Sequence, residues 1–508
     1  MASTRALYVV LLALCGTAGA AGPAPDAPDA AARAARGSFA EYLDFLSLPS
    51  DSIVAADIQR NADFIERAFA KRGFAVRQLA NDGKPLVYAE TAGAAAGART
   101  ILYYMHFDGQ PVVPAEWSQP DPWTPVVKER AAGGQWREVP RERLYAEPLD
   151  PELRVFARCA ADDKAPIMMF LAAFDALKAA GVAPAYHVKV LLDSEEERGS
   201  PSMARVARAN HDLLRSDAIV ILDGPRHPSN RPTLVFGNRG VASVTLTVFG
   251  PRAPLHSGHY GNYVPNPALR LAQLLASMKD DRGRVLVKGY YERVRLTAAD
   301  QAILAEAGDD ELAIRHRTGI ARAEAVGASY QEALQYPSLN VRGLASASVG
   351  SKAANIVPHL AVAELDLRTT PETPPDYLFS LLEAHVRAQG YHLVSGEPSD
   401  ADRATYDKLA SLTLGEASRA VRTPLDSPLG NWAYGTLRSA FPATAPVRIR
   451  MMGGSVPTDS LVEVLGAPFV IAPLVNPDDN QHTFDENMRI GHYVDGVRTL
   501  LALLRAPY

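Results

Sequence analysis

Short apolar runs that end in histidine or an acid recur along this chain, and they constrain the fold more than any other feature. Residues 100–108, TILYYMHFD, read as a buried strand ending in His106 and Asp108. Residues 186–196, YHVKVLLDSEE, read as a strand running into acids. Residues 217–224, DAIVILDG, reach Asp223, and residues 467–482, APFVIAPLVNPDDNQH, run on to His482. Between them, PIMMFLAAFDALKAAGV reads as a helix, with Pro166 near its start and Gly181 at its end. Strand, helix and strand in succession predict an α/β fold: a mixed, mostly parallel sheet with helices on both faces.

The middle of the chain has a different rhythm. GVASVTLTVFG alternates like a half-buried strand, and NPALRLAQLLASMK is amphipathic at helical spacing. A long polar and helical insertion follows, then the strands SLNVRGL and LAVAELDLR, the helix DYLFSLLEAHVRAQG and the short strand YHLVSG. That order predicts a small ferredoxin-like α/β sandwich at 240–398, inserted between a first part at 37–239 and a second at 399–508. Hinges are expected near Arg239 and about Ser395.

A chain of 508 residues is long for a single core. It is 47% hydrophobic and 21% charged, a globular balance. Its net charge of -5 leaves no basic excess to neutralise phosphates, so nucleic-acid binding is not expected. Residues 1–21 read as a secretory signal: Arg5, a short apolar core ALYVVLLAL, and small residues for cleavage near 20–22. The apolar core is too short to span a bilayer comfortably. The expectation is therefore a periplasmic or secreted protein with no membrane span. Leu14 stands where a lipoprotein signal before Cys15 wants a small residue, so lipidation is the lesser reading. Residues 22–36 read as a Pro/Ala linker. The chain has two cysteines, and only Cys159 would remain after cleavage, so no intrachain disulfide is expected.

In open α/β sheets, ligands bind outside the carboxyl ends of the strands. His106 with Asp108, Glu196 with Glu197, Asp223 and His482 all stand at or beyond such ends. Singly, each has a plainer reading. HFD could be a strand-end histidine beside a solvated acid, SEEERGS an acidic turn and Asp223 the start of a turn. His482 could be a surface side chain, and Asp162 or Asp163 in RCAADDKAP a helix cap. Their joint occurrence in order at strand ends is the informative fact. A histidine and carboxylate set with little thiolate suits zinc, with manganese or cobalt as possible substitutes. Two such ions about 3.5–4 Å apart can share a carboxylate and a water, and an unligated carboxylate can take the water's proton.

HFDGQPV, ADDKAP, EEERGS, LHSGHYGN and QHTFDEN occur in the order found in the di-zinc metallopeptidases that include carnosinase-like dipeptidases, glutamate carboxypeptidases and aminoacylases. The chain resembles that family over nearly its whole mature length. The long insertion before YPSLNVRGL most resembles the carnosinase-type dipeptidases. The resemblance implies two Zn2+ per subunit. His106 and Asp223 would hold one, Glu197 and His482 the other, and Asp162 would bridge them. It implies Glu196 as general base and Asp108 as the carboxylate that orients the His106 imidazole. Glu195 is then a solvated or bracing acid, because Gly199 and Ser200 fix the register of the Glu-Glu-x-Gly-Ser motif.

From the inserted domain, the resemblance implies that His256 reaches into a partner's site in a homodimer and stabilises the oxyanion. It implies that Arg368 holds the substrate's terminal carboxylate, that Asn355 is a polar substrate contact, and that Gly453, Gly454 and Ser455 form a substrate loop. His259 reads as structural. Three departures stand out. Ala157, Arg158 and Cys159 replace the usual Gly-Arg-Gly, and Ala165 replaces a glycine. Met451 stands where the family has an arginine, with Arg450 one residue early. Cys159 reads as a small packing residue rather than a ligand. The expected activity is that of an exported exopeptidase, dipeptidase or carboxypeptidase in type, acting on dipeptides or short peptides. An N-acyl amino acid hydrolase and a non-catalytic binding protein on the same scaffold are the alternatives.

Overall fold

A computed structural model describes residues 27–508 apart from 92–96 and 455–458. The expected signal, with Cys15, lies outside the described residues, as does Ser455. Among the described residues, the largest sheet has eight strands. Its centre is parallel: Thr100–His106 lies between His187–Asp193 and Ala218–Ile221, and Phe469–Ile471 pairs with Ala218–Ile221. Antiparallel strands Leu86–Thr91 and Phe74–Leu79 extend one side. On the other side Phe469–Ile471 meets Thr233–Val235 antiparallel, and that strand pairs parallel with Val447–Ile449.

Helices cover both faces because the central strands are apolar on both. In Thr100–His106, Ile101, Tyr103 and Met105 join one core and Leu102 and Tyr104 the other. The first core is closed by the helices Ala27–Leu46, Lys164–Ala179 and Ile490–Arg505. The second is closed by Met203–Ala209 and Asp459–Leu465. Gly496 lets the last helix lie close on its neighbour, since a Cβ there would come within 2.2 Å of the Met169 Sδ.

The expected Pro/Ala linker gives way to helix from Ala27. Ala31, Ala35 and Phe39 recur every four residues and are fully buried. Alanine has the best helix propensity and lets the helix approach closely, so the Ala-rich run packs instead of tethering. Lys164 is fully buried and donates to the carbonyls of Phe45 and Leu48 at the end of this helix (2.9 and 2.6 Å). A cation there meets the negative end of the helix dipole.

A second sheet has the order Ser338–Ala345, Leu360–Thr369, Gly240–Phe249, Leu409–Ala417, His392–Leu393. The helices Pro267–Met278 and Pro375–Ala388 cover its apolar face. Leu409–Ala417 pairs with Gly240–Phe249 over most of its length. The segment YHLVSG contributes only the short edge strand His392–Leu393. The sheet therefore runs beyond 398, because LASLTLGEA carries the alternating apolar pattern that the shorter strand lacks. The chain crosses between the sheets at Gly237–Asn238 and Val421–Arg422, which pair with each other, so the second crossing is not at Ser395. Among the described residues, no helix is long and apolar enough to cross a membrane.

Candidate metal centre and active site

The strand ends bring two histidines and four carboxylates to one place. His106 closes its strand, and its Nε2 lies 2.9 Å from Asp162 Oδ1. The other Asp162 oxygen, Oδ2, lies 3.1 Å from His482 Nε2. His482 Nε2 is also 3.1 Å from Glu197 Oε2. Two donor sets result: His106, Asp162 and Asp223, and Asp162, Glu197 and His482, each with its ligand atoms within 4.8 Å of one another. Asp162 belongs to both. Nitrogen and carboxylate oxygen donors in two sets with one shared carboxylate fit a pair of divalent ions. Glu196 belongs to neither set, and its carboxylate is 4.0 Å from His106 Nε2.

The electrostatics point the same way. Hydrogen bonds to Asp162 and Glu197 lift the His482 pKa to about 11, the mark of a strongly negative surrounding. Burial, eased by His106 and reinforced by Asp162, raises Asp223 to about 7. Burial works against the Asp162 carboxylate, but its hydrogen bonds with His106 and His482 outweigh burial and hold it ionised. Glu196 is raised well above the usual carboxylate range, first by burial and then by Asp223 and Asp162, against the pull of His106. Excess negative charge buried at one point calls for cations.

Two buried carboxylates build the loops that carry the ligands. Asp108 accepts the backbone N–H groups of Glu196 (3.0 Å) and Glu197 (3.2 Å). It also faces the imidazole, with Oδ1 3.4 Å from His106 Nδ1 and its backbone oxygen at 3.2 Å. Its part is therefore wider than orienting the ring: it fixes the glutamate turn against the histidine strand. Glu486 accepts the N–H groups of Cys159, Ala161 and Asp162 (2.9, 2.8 and 2.9 Å) and pairs with Arg158 Nη1 at 2.8 Å. The sequence reading missed Glu486. Its signal was present in QHTFDEN, an acid four residues past His482, but nothing in the sequence reveals its partners.

Glu195 is buried, not solvated. It accepts from Lys84 Nζ (2.6 Å), Asn81 Nδ2 (2.9 Å) and Ser202 Oγ (3.2 Å). The turn Glu196–Arg198 ends at Gly199 in the left-handed region (φ 80°). Asp163 stands at the N-terminus of Lys164–Ala179, but its carboxylate accepts the His106 backbone N–H (3.1 Å). Cys159 is fully buried with φ 63°, so it occupies the left-handed conformation where a glycine would rest unstrained. Burial raises its thiol to about 12, and it belongs to neither donor set.

The remaining candidates sit apart from this cluster. His256 and Asn355 share one small ribbon, where Leu255–His256 pairs with Ile356–Val357 and Ser257 N–H donates to the Asn355 carbonyl (2.9 Å). His256 is exposed, and its Nδ1 accepts the Gly258 N–H (3.0 Å). Among the described residues, no hydrogen bond or ion pair joins this ribbon to the cluster. His256 and His259 rings lie 4.9 Å apart. Arg368 lies opposite Val241 on the second sheet. Arg239 beside it is pulled down to about 10, by burial first and by the Arg368 charge next, so two guanidinium groups stand together at the crossing. Gly453 lines the same cavity as Asp223. Met451 is fully buried, and Arg450 is bound to Asp300 (Nε to Oδ1, 3.0 Å) and Gln335 (2.9 Å) of the insertion. The displaced arginine therefore anchors the insertion.

A mixed sheet with histidine and carboxylates gathered around a shared aspartate defines a metal-dependent hydrolase of the peptidase class. Residues 102–506 match the model of peptidase family M20/M25/M40, and the chain belongs to that family. The Cys-Gly metallodipeptidase of Schizosaccharomyces pombe is 25% identical over 478 residues, covering 89% of this chain and 91% of that protein. The Beta-Ala-His dipeptidase of Rattus norvegicus is 23% identical over 429 residues, covering 82% and 79%. The crystal structure of an M20 family metallo-carboxypeptidase from Sulfolobus solfataricus superposes with a TM-score of 0.70 at 26% identity, covering 92% of this chain and 98% of that one.

Proposed function

We propose that the chain is an exported, zinc-dependent exopeptidase that hydrolyses dipeptides or short peptides. The observation that carries the reading is one shared aspartate between two donor sets, with a half-buried Glu196 that belongs to neither beside them. The names of the relatives, two of them dipeptidases, support the substrate class. His106, Asp162 and Asp223 would hold one ion, and Asp162, Glu197 and His482 the other. Bound there, the ions would polarise the scissile carbonyl and acidify the attacking water.

The residues of the chain do the rest. Glu196 takes the water's proton and returns it to the leaving amine. Its place beside both donor sets, and in neither, suits both halves of that cycle. Asp108 keeps the Glu196 backbone fixed while the carboxylate changes charge. Arg368, with Arg239 beside it, offers a fork for the peptide's terminal carboxylate. His256 and Asn355 lie on an exposed, separate two-stranded ribbon, which suits delivery to the site of a second subunit in a homodimer. The second sheet serves as lid and dimerisation unit in this reading. Cell fractionation reads export, and light scattering reads the dimer. A strictly monomeric, fully active protein would remove the trans role of His256.

The decisive experiment is a substrate panel on metal-loaded protein. Dipeptides are cleaved, chelation abolishes cleavage, and Zn2+ restores it. Cleavage of N-acyl amino acids with no action on dipeptides would contradict the peptidase reading. Less than one metal per chain with no hydrolysis after zinc addition would point to a binding protein.

A further inference from the structure

We propose that the cavity beside Asp223 is the pocket for a bulky apolar side chain of the peptide substrate, and that the insertion sets its size. The inference rests on the peptidase reading above and adds a substrate class to it. The cavity measures about 690 Å3, within the roughly 300–1,000 Å3 usual for ligand pockets. It lies past the carboxyl ends of Ala218–Ile221 and Phe469–Ile471, where an open α/β sheet receives its ligand. Asp223 of the metal centre and Gly453 both line it.

Its near wall is apolar: Val235, Ile449, Met452 and Ile471 from the ends of the first sheet. Its far wall comes from the insertion, chiefly Ala313 and Ile314 of the helix Glu311–Thr318, with Leu334. Most of the charges along it are engaged by other side chains or by backbone. Asp309 Oδ1 is held by His227 Nε2 at 3.1 Å, and Asp310 caps the helix by accepting the Ala313 N–H at 2.9 Å. Arg317 is exposed. Arg226, also on the lining, pairs with Asp495 through Nη1 at 3.3 Å, and Ser229, Thr233, Tyr330 and Gln331 add polar groups to a lining that is apolar over most of its area.

The far wall is also fixed in place. Arg450 binds Asp300 and Gln335, His227 binds Asp309, and Arg231 Nη2 donates to the Ala307 carbonyl at 2.7 Å. A wall held by three side chains from the first sheet's edge can measure a substrate. Ala313 is the smallest side chain on that wall and lies on an exposed helix face, so enlarging it fills the cavity without disturbing a core.

The test compares kcat/KM for Gly-Gly, Gly-Phe and Phe-Gly on metal-loaded protein. The parent protein prefers one phenylalanine-containing peptide to Gly-Gly, and Ala313→Phe lowers that preference about ten-fold, the scale of a lost pocket contact. Leu312→Ala, at the exposed neighbouring position, leaves the preference unchanged. Calorimetry on the Glu196→Gln protein reads the same pocket without turnover. There, Ala313→Phe weakens binding of the preferred peptide about ten-fold. Hydrolysis with no phenylalanine preference, or with a preference indifferent to Ala313→Phe, overturns the pocket alone. Selective binding without hydrolysis by the parent protein overturns the peptidase reading alone. Neither binding nor hydrolysis overturns both.

Discussion

Glu196→Gln lowers kcat for dipeptide cleavage by about 10²–10⁴-fold, the usual contribution of a positioned acid–base group, and leaves the metal content unchanged. Both halves follow from the geometry. Glu196 is outside both donor sets, so the amide substitution removes no ligand. Its backbone N–H stays bound to Asp108, so the turn and Glu197 keep their places. What is lost is the carboxylate that accepts a proton, and glutamine has the same shape without that basicity. Steady-state kinetics with elemental analysis of the same sample reads both. Full activity with metal still bound would exclude Glu196 as the base. Loss of metal together with activity would make it a ligand instead.

Glu486→Ala has the largest expected effect on stability. Its carboxylate is fully buried and is the acceptor for three backbone N–H groups and the Arg158 guanidinium, which is itself 3% exposed. Removing one member of a buried ion pair leaves the other charged and unpaired, at a cost of roughly 3–5 kcal/mol. Three orphaned amides add to that cost. The damage falls on the segment that presents Asp162, so metal affinity drops along with stability. Glu486→Gln keeps one acceptor oxygen and lies between the alanine variant and the parent. Denaturant unfolding and a metal titration check this order. An alanine variant within about 0.5 kcal/mol of the parent, a range typical of unimportant surface positions, and with the same metal affinity would contradict the role.

The strand ends were legible in the sequence for a physical reason. A buried parallel strand is a continuous apolar run, so the residue that stops it stands out, and His106, Asp223 and the glutamate turn all stand at such stops. The partners of those residues were not legible. Glu486 reaches backbone groups more than three hundred positions away, and backbone donors carry no sequence signature. Glu195 stayed open between a solvated and a bracing role because its partners Lys84 and Asn81 come from a distant loop. The Ala27–Leu46 helix was hidden by prolines and aspartates in the flanking text, although Ala31, Ala35 and Phe39 keep a spacing of four. The second sheet takes in a strand beyond the expected boundary at 398. Its final strand follows a polar stretch that resembled a return to the first sheet. Arg450 shows the converse case. Its offset from the family pattern was visible, but its engagement with Asp300 and Gln335 needed the fold.

The central claim is that Asp162 joins two metal sites. The most direct measurement is the metal content per chain of the purified, zinc-equilibrated parent protein and of Asp162→Asn, by elemental mass spectrometry. The account predicts two ions per chain in the parent and fewer than one in the variant, because the lost charge serves both donor sets. A parent protein that binds no more than one ion, or a variant that keeps two, would contradict it.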